Sequence, residues 1–315
     1  MCKHLGVMDL EILICCKKEV SGAHFGTKIA EHDVLIVFPS IPKDYDGSHC
    51  DIAHGELQIL GDLWKGKIRW GGIHAWPEGI FSVEKMTCCF SANANKVAEI
   101  YQDFPRWKEK VRKLHIINTG NYITPKQKTL SILVGGAGIY DGLEIFELNK
   151  GKPLEYIGNH RTTAPIRLHF PSNSESYSKN ELTQLFINAG SNKEIALAYE
   201  LLITAYNAFE RSDFRSAVIL GGSAVEKAVL ERMRREYNDV DYEKTKEKYR
   251  MLGGKFKWLE ENNIIIPISD YKVTIIDVRN DAVHEGKCPT YETTKKCLEN
   301  CKILIEEYNP SVLEI

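Results

Sequence analysis

Apolar and polar positions change rhythm near residue 190. Before it, short apolar runs alternate with breaks rich in glycine and proline. After it, apolar residues recur at spacings of three and four. In the first part, "HDVLIVFPSIP" (32–42) predicts a buried strand stopped by prolines, and "GIFSVEKMTCCFSA" (79–92) predicts another. "GELQILGDLWKGKIRWGGIHAW" (55–76) carries glycines at intervals that suit strands joined by tight turns. "TLSILVGGAGIYDGLEIFELNKG" (129–151) reads as two strands around a glycine-rich turn. "NANKVAEIYQDFPRWKEKVRKL" (93–114) is the main helical stretch of this part, and Pro105 is expected to break or kink it.

Residues 176–190 are polar and are expected to form a linker with a short helix over 180–187. From 191 the pattern is helical. "SNKEIALAYELLITAYNAFERSD" starts at a Ser/Asn cap and puts Ile195, Ala198, Leu202, Ala205 and Phe209 on one stripe. The next helix takes Ser212 or Asp213 as its cap and carries Gly221–Gly222 in its interior. Each glycine there costs about 1 kcal/mol relative to alanine, which implies close packing of another helix. A short helix and turn follow over 253–266. "SDYKVTIIDVRNDAVHEG" then reads as a third long helix from Ser269 to Gly286. In the fourth, "TYETTKKCLENCKILIEEY", the residues Tyr291, Thr294, Leu298, Cys301, Ile305 and Tyr308 face inward. The expected fold is α+β in two domains: a strand-rich mixed domain over 1–175, the linker, and an all-α domain over 191–315.

Composition narrows the classes. Of 315 residues, 43% are hydrophobic and 27% charged, which fits a folded chain with substantial cores. A formal net charge of −2 supplies no global attraction for nucleic acid, so RNA contact must come from local basic patches. No apolar run approaches the roughly 18–20 residues that span a bilayer. The N-terminal run, interrupted by Asp9 and Glu11, reads as a structural segment rather than a signal peptide. Nine cysteines without a C-x-x-C pair suit buried positions in a reducing compartment. Cys297 and Cys301 share a helix face and read as core thiols. A cytoplasmic protein without a membrane partner is expected.

The chemistry concentrates in "DVRNDAVHEG" (277–286). RNA cleavage needs a proton taken from the 2′-hydroxyl and one given to the leaving 5′-oxygen. A histidine with pKa near ~6.5 can do either at neutral pH. A guanidinium can clamp the extra negative charge of the phosphorane with two donors. Arg279 and His284 supply these groups, with Asn280 and Asp281 between them, and no acidic metal-binding cluster lies nearby. Five helical positions turn through roughly 500°, so the pair would stand about 140° apart. Either the helix ends before His284 and the ring swings back, or two chains build the site together. A polar helix end capped by Gly286 is the plain alternative.

These residues resemble a known family. "FRSAVILGGSAVEKAVLERM" (214–233), "GGKFKWLEENNII" (253–265) and "VRNDAVHEG" (278–286), in that order, are similar to the HEPN superfamily, the last to its R-x4-6-H ribonuclease signature. The resemblance covers about 190–310. It implies a four-helix domain that dimerises, placing two motifs in one cleft that cleaves RNA without metal or cofactor. It implies Arg279 and His284 as the catalytic pair, with Asn280 beside them. Glu226 matches an acidic position that supports the arginine, with Asp281 as a further supporting residue. The tyrosine that follows the histidine in AMP-silenced HEPN toxins is absent. The two-part layout is similar to ApeA-type abortive-infection proteins. That likeness implies anti-phage defence or toxin-like growth arrest, with a phage or cellular trigger sensed by the N-terminal domain. The other functional class is a non-catalytic HEPN dimerisation or nucleotide-binding module with an adaptor N-terminal domain.

Other candidates are weaker. Arg232, Arg234, Arg235, Lys255 and Lys257 lie in the richest basic region and could guide an RNA backbone, but interleaved glutamates favour a solvated face. His49, Cys50, Asp51 and His54 offer zinc-type ligands that only His24, His32 or His74 could complete, so a polar loop is favoured. "GGAGIYDG" (135–142) precedes a strand pattern, which favours a hairpin turn over a phosphate loop. Trp64, Trp70 and Trp76 could stack bases but suit a core better.

Overall fold

The computed structural model describes residues 4–41, 54–55, 68–69, 80–120, 131–133, 136–138, 143–148 and 176–313. The chain divides into two compact units, one of residues 1–115 and 123–191, the other of 116–122 and 192–315. The first is strand-rich and the second helical. Trp64, Trp70, Trp76, His49, Cys50, Asp51 and His74 lie outside the described residues, as does most of the 135–142 turn.

In the first unit, strands β1 (His4–Lys17), β2 (His24–Ile29), β3 (His32–Val37) and β6 (Ile80–Phe90) join β9 (Leu143–Glu147) in an antiparallel sheet of order β2-β3-β6-β1-β9. Two short ladders pair β4 (His54–Gly55) with β5 (Ile68–Arg69) and β7 (Ser131–Leu133) with β8 (Gly136–Gly138). The N-terminal run is the long strand β1, with a register shift between Asp9 and Ile14. Cys15, Cys16, Cys88 and Cys89 are buried thiols on β1 and β6, in keeping with a reduced core.

Helix α1 (Ala94–Thr119) runs through Pro105 without the break that was one of the two expected outcomes there. Burial of Phe104 and Trp107 around the proline offsets the backbone bond it removes. Helix α2 (Lys179–Ala189) is no linker element. A capping box between Ser178 and Glu181 starts it, and Leu182, Leu185, Phe186 and Ala189 are buried. Thr27 on β2 donates from its hydroxyl to the Phe186 carbonyl at 2.7 Å and accepts from the Trp107 indole at 3.1 Å. Phe186 also stacks on Trp107, which ties both helices to β2.

The β2–β3 turn is made by Ala30 and Glu31, both with left-handed φ (50° and 63°), where asparagine and glycine are favoured. Asp103 accepts the Ala30 amide at 3.0 Å, and Glu99 meets His32 at 2.7 Å, which holds the turn shut. Replacing Ala30 by Asn together with Glu31 by Gly is expected to raise stability by about 1 kcal/mol, because left-handed backbone costs a non-glycine residue about that much. An unchanged or lower melting temperature would count against it.

His115 is buried, with its Nδ1 3.1 Å from the Tyr177 hydroxyl. Burial first, and then the charge of Arg112, lowers its pKa from 6.5 to about 4. The folded state therefore refuses a proton that the unfolded chain accepts. The stabilisation from the neutral ring is complete above about pH 6.5 and is lost as pH falls towards 4, roughly 3 kcal/mol in all. Denaturant titrations at pH 7 and pH 4 should show this loss, and His115→Gln should lose correspondingly less.

The second unit holds α3 (Leu197–Glu210), α4 (Phe214–Glu236), α5 (Asp239–Lys248), α6 (Leu252–Glu261), α7 (Val278–His284) and α8 (Tyr291–Tyr308). Helix α3 starts later than the Ser/Asn cap implied. Ile195 bridges Leu313 in strand-like fashion, and the Ala196 amide donates to the Val312 carbonyl at 2.8 Å. Asp213 caps α4 by accepting the Ser216 amide. The charged stretch after α4 forms a helix, α5, that periodicity did not reveal because none of its residues is buried. In α8, Thr294, Leu298, Cys301, Ile305 and Tyr308 face inward as expected, and Cys297 joins them. Tyr291 does not, being half exposed against Phe209 and Phe214.

Candidate functional site

The segment 269–286 is helical but not uniform. Residues Lys272–Asp277 form a π-helical stretch, and only then does α7 begin. The i→i+5 bonding of such a stretch shifts the phase of everything after it, so it sets which way Arg279 points. Tyr271, Ile275 and Ala282 are the buried anchors of this segment.

Arg279 lies against α4. A Cβ built on Gly222 would stand 3.0 Å from Arg279 Cγ, so the aliphatic stem of the arginine uses the space the glycine leaves. Gly221 does the same for α8, where a Cβ would meet Leu298 at 2.9 Å and Cys301 at 3.3 Å. The glycine pair thus admits α7 on one side and α8 on the other, which accounts for two poor helix formers inside α4.

The Arg279 headgroup is incompletely satisfied. Its Nε is buried without a hydrogen-bond partner among the described residues, and Nη1 makes only a long contact of 3.4 Å to the Asn280 side-chain oxygen. An unmade bond at a buried guanidinium nitrogen is costly, so an anionic oxygen would be well received here. His284 is exposed at the end of α7. The helix runs through His284, so the ring does not swing back from a helix that has already stopped. Within one chain the pair keeps its separation of about 140° around the axis.

Beyond His284 the backbone turns at Gly286, whose φ of 66° is left-handed. That turn returns the Lys287 amide to the Asp281 carbonyl at 3.2 Å. Asp281 pairs through its side chain with Lys287 at 3.1 Å. Both contacts fix the end of α7.

Glu226, expected to support Arg279, instead bonds Lys255 at 2.8 Å. Lys255 is 1% exposed, and its ammonium also donates to the carbonyls of Tyr249 and Arg250. All three of its protons are used, so neither the candidate RNA contact nor the favoured solvated face holds for Lys255: this lysine fastens α6 to α4. The other basic candidates are engaged at the surface. Arg232 pairs with Glu236 at 2.6 Å and Lys257 with Glu261 at 3.6 Å. Arg234 lies over the Tyr242 ring, and Arg235 donates to the Tyr308 carbonyl. The ion pairs of Arg232 and Lys257 are of the weak surface kind.

One functional candidate escaped the sequence reading. Arg215, in the first turn of α4, donates from Nε to the Ala282 carbonyl at 2.9 Å. A lone arginine whose partner is a backbone carbonyl leaves no signal in sequence. Among the described residues, no group of three or more His, Cys, Asp or Glu side chains could hold a metal ion. No helix among them is long and apolar enough to cross a membrane. Comparison of the chain with protein-family models, with curated proteins and with solved structures finds no match.

Proposed function

We propose that the protein is a metal-independent endoribonuclease whose helical unit is a HEPN-type four-helix domain, with α3, α4, α7 together with its π-helical lead, and α8 as the four helices. The observation that carries the reading is Arg279, its stem packed on Gly222 and its guanidinium Nε unsatisfied, on the same short helix as the exposed His284. In this reading a 2′-hydroxyl oxygen attacks the adjacent phosphorus and the bond to the 5′-oxygen breaks. One histidine takes the 2′-proton and another donates to the 5′-oxygen. Arg279 holds the phosphorane oxygens. The products are a 2′,3′-cyclic phosphate and a 5′-hydroxyl. Two chains supply the two histidines, because one α7 keeps its arginine and histidine on different faces.

The strand-rich unit is then a sensor or targeting domain, and the activity serves anti-phage defence or growth arrest in the cytoplasm. The test is induced expression of wild type beside His284→Ala, following growth and mapping RNA ends. Growth arrest with cyclic-phosphate ends in wild type only supports the proposal. A second reading, a module that binds a nucleotide without cleaving it, draws on the same unsatisfied guanidinium. It gains if phage infection produces no cut RNA in either strain while Arg279→Ala abolishes nucleotide binding.

A further inference from the structure

Arg215 and Gly222 are seven residues apart on α4, a spacing that returns to the same helix face. Gly222 receives the stem of Arg279 near the start of α7. Arg215 donates to the carbonyl of Ala282, two residues before His284. Helix α4 therefore grips α7 at two points, Arg279 near its start and the Ala282 carbonyl about one turn further on.

The grip at Arg215 has a physical purpose. Helix α7 and the π-helical stretch that leads into it span only 13 residues, Lys272–His284, a length that is marginal without outside support. The last four carbonyls of any helix have no partner within it, and a cation at that end also meets the negative pole of the helix. Ala282 is fully buried, so its carbonyl cannot depend on bulk water. The guanidinium of Arg215 satisfies it and ties down the turn that carries His284. Gly286 and Lys287 fix the same turn from beyond.

We infer that Arg215 is a positioning residue: its bond to the Ala282 carbonyl holds the last turn of α7 so that His284 keeps a fixed place relative to Arg279. The inference rests on the ribonuclease reading for its catalytic consequence. A ring displaced by about 1 Å costs on the order of a hundredfold in rate, whereas substrate affinity does not pass through this bond.

The test uses the full chain in three forms: wild type, Arg215→Ala and Arg215→Lys. On an RNA that wild type cleaves, Arg215→Ala is expected to lower kcat by about tenfold to a hundredfold with KM within about twofold. Arg215→Lys keeps a donor for the carbonyl and should recover most of the rate. A wild-type rate for Arg215→Ala overturns the inference. So does a raised KM at unchanged kcat, which would make Arg215 a substrate contact. So does a loss of rate no larger than the unfolded fraction seen in circular dichroism. The His284 ring signal in NMR gives a readout independent of turnover: broadening or displacement in Arg215→Ala, reversed in Arg215→Lys, supports the inference, and an unchanged ring signal overturns it. A wild-type protein that cleaves no RNA under any trigger sinks the ribonuclease reading separately, since no substitution enters that result.

Discussion

If the protein is the proposed ribonuclease, His284→Ala is expected to lower RNA cleavage by a factor of about 10²–10⁴ and to leave the protein folded. The ring is exposed and buries nothing, so its removal should change stability by no more than about 0.5 kcal/mol. Arg279 needs a subtler pair of variants. Arg279→Ala removes both the guanidinium and the stem packed against Gly222, so some loss of stability accompanies the loss of rate. Arg279→Lys keeps the stem and the charge but not the fork of donors, and should still lose about 10²–10³ in rate. Gel-based cleavage assays read beside melting temperatures check all three. Full activity in His284→Ala and Arg279→Lys together would end the ribonuclease proposal.

Lys255→Met gives the largest expected loss of stability, about 3–5 kcal/mol. The lysine is buried and shared among Glu226 and two backbone carbonyls, so its removal leaves three acceptors without their donor. For a unit of this size the loss corresponds to a fall of roughly 10–20 °C in its melting temperature. Glu226 keeps about a quarter of its side chain in water, so it is the milder half of the pair, and Glu226→Gln should cost less than Lys255→Met. Scanning calorimetry of both variants decides the order. Equal and small shifts would show that the pair does not hold α6 to α4.

Legibility followed the kind of force involved. β3 and β6 were readable because apolar runs bounded by prolines and small polar residues leave a hydrophobic signature. The stripe of α8 was readable for the same reason, and it failed only at Tyr291, at the helix end where aromatic partners replace the core. Gly221 and Gly222 announced close packing by their cost, although not which residue lies on which glycine. Polar pairings stayed hidden. Glu226 found Lys255 across 29 positions, and nothing in periodicity records such a match. The π-helical stretch was invisible too, since "KVTIID" reads equally well at 3.6 residues per turn. Arg279 and His284 were readable as residue types. The support of their helix by Arg215 was not, because a carbonyl carries no letter of its own.

Helix α4 packs against α3, α5, α6, α7, α8 and the π-helical stretch, whereas α5 buries no residue. The helical unit therefore has a centre and a fringe in its local opening. Amide protons of α4 should exchange with solvent only when the whole unit opens, and those of α5 should exchange through small excursions that leave the rest intact. Helix α7 lies between these extremes. It is anchored to the centre at Gly222 and Arg215 and followed by an exposed connection, so the residues after Lys287 can fluctuate while Arg279 and the turn bearing His284 stay seated.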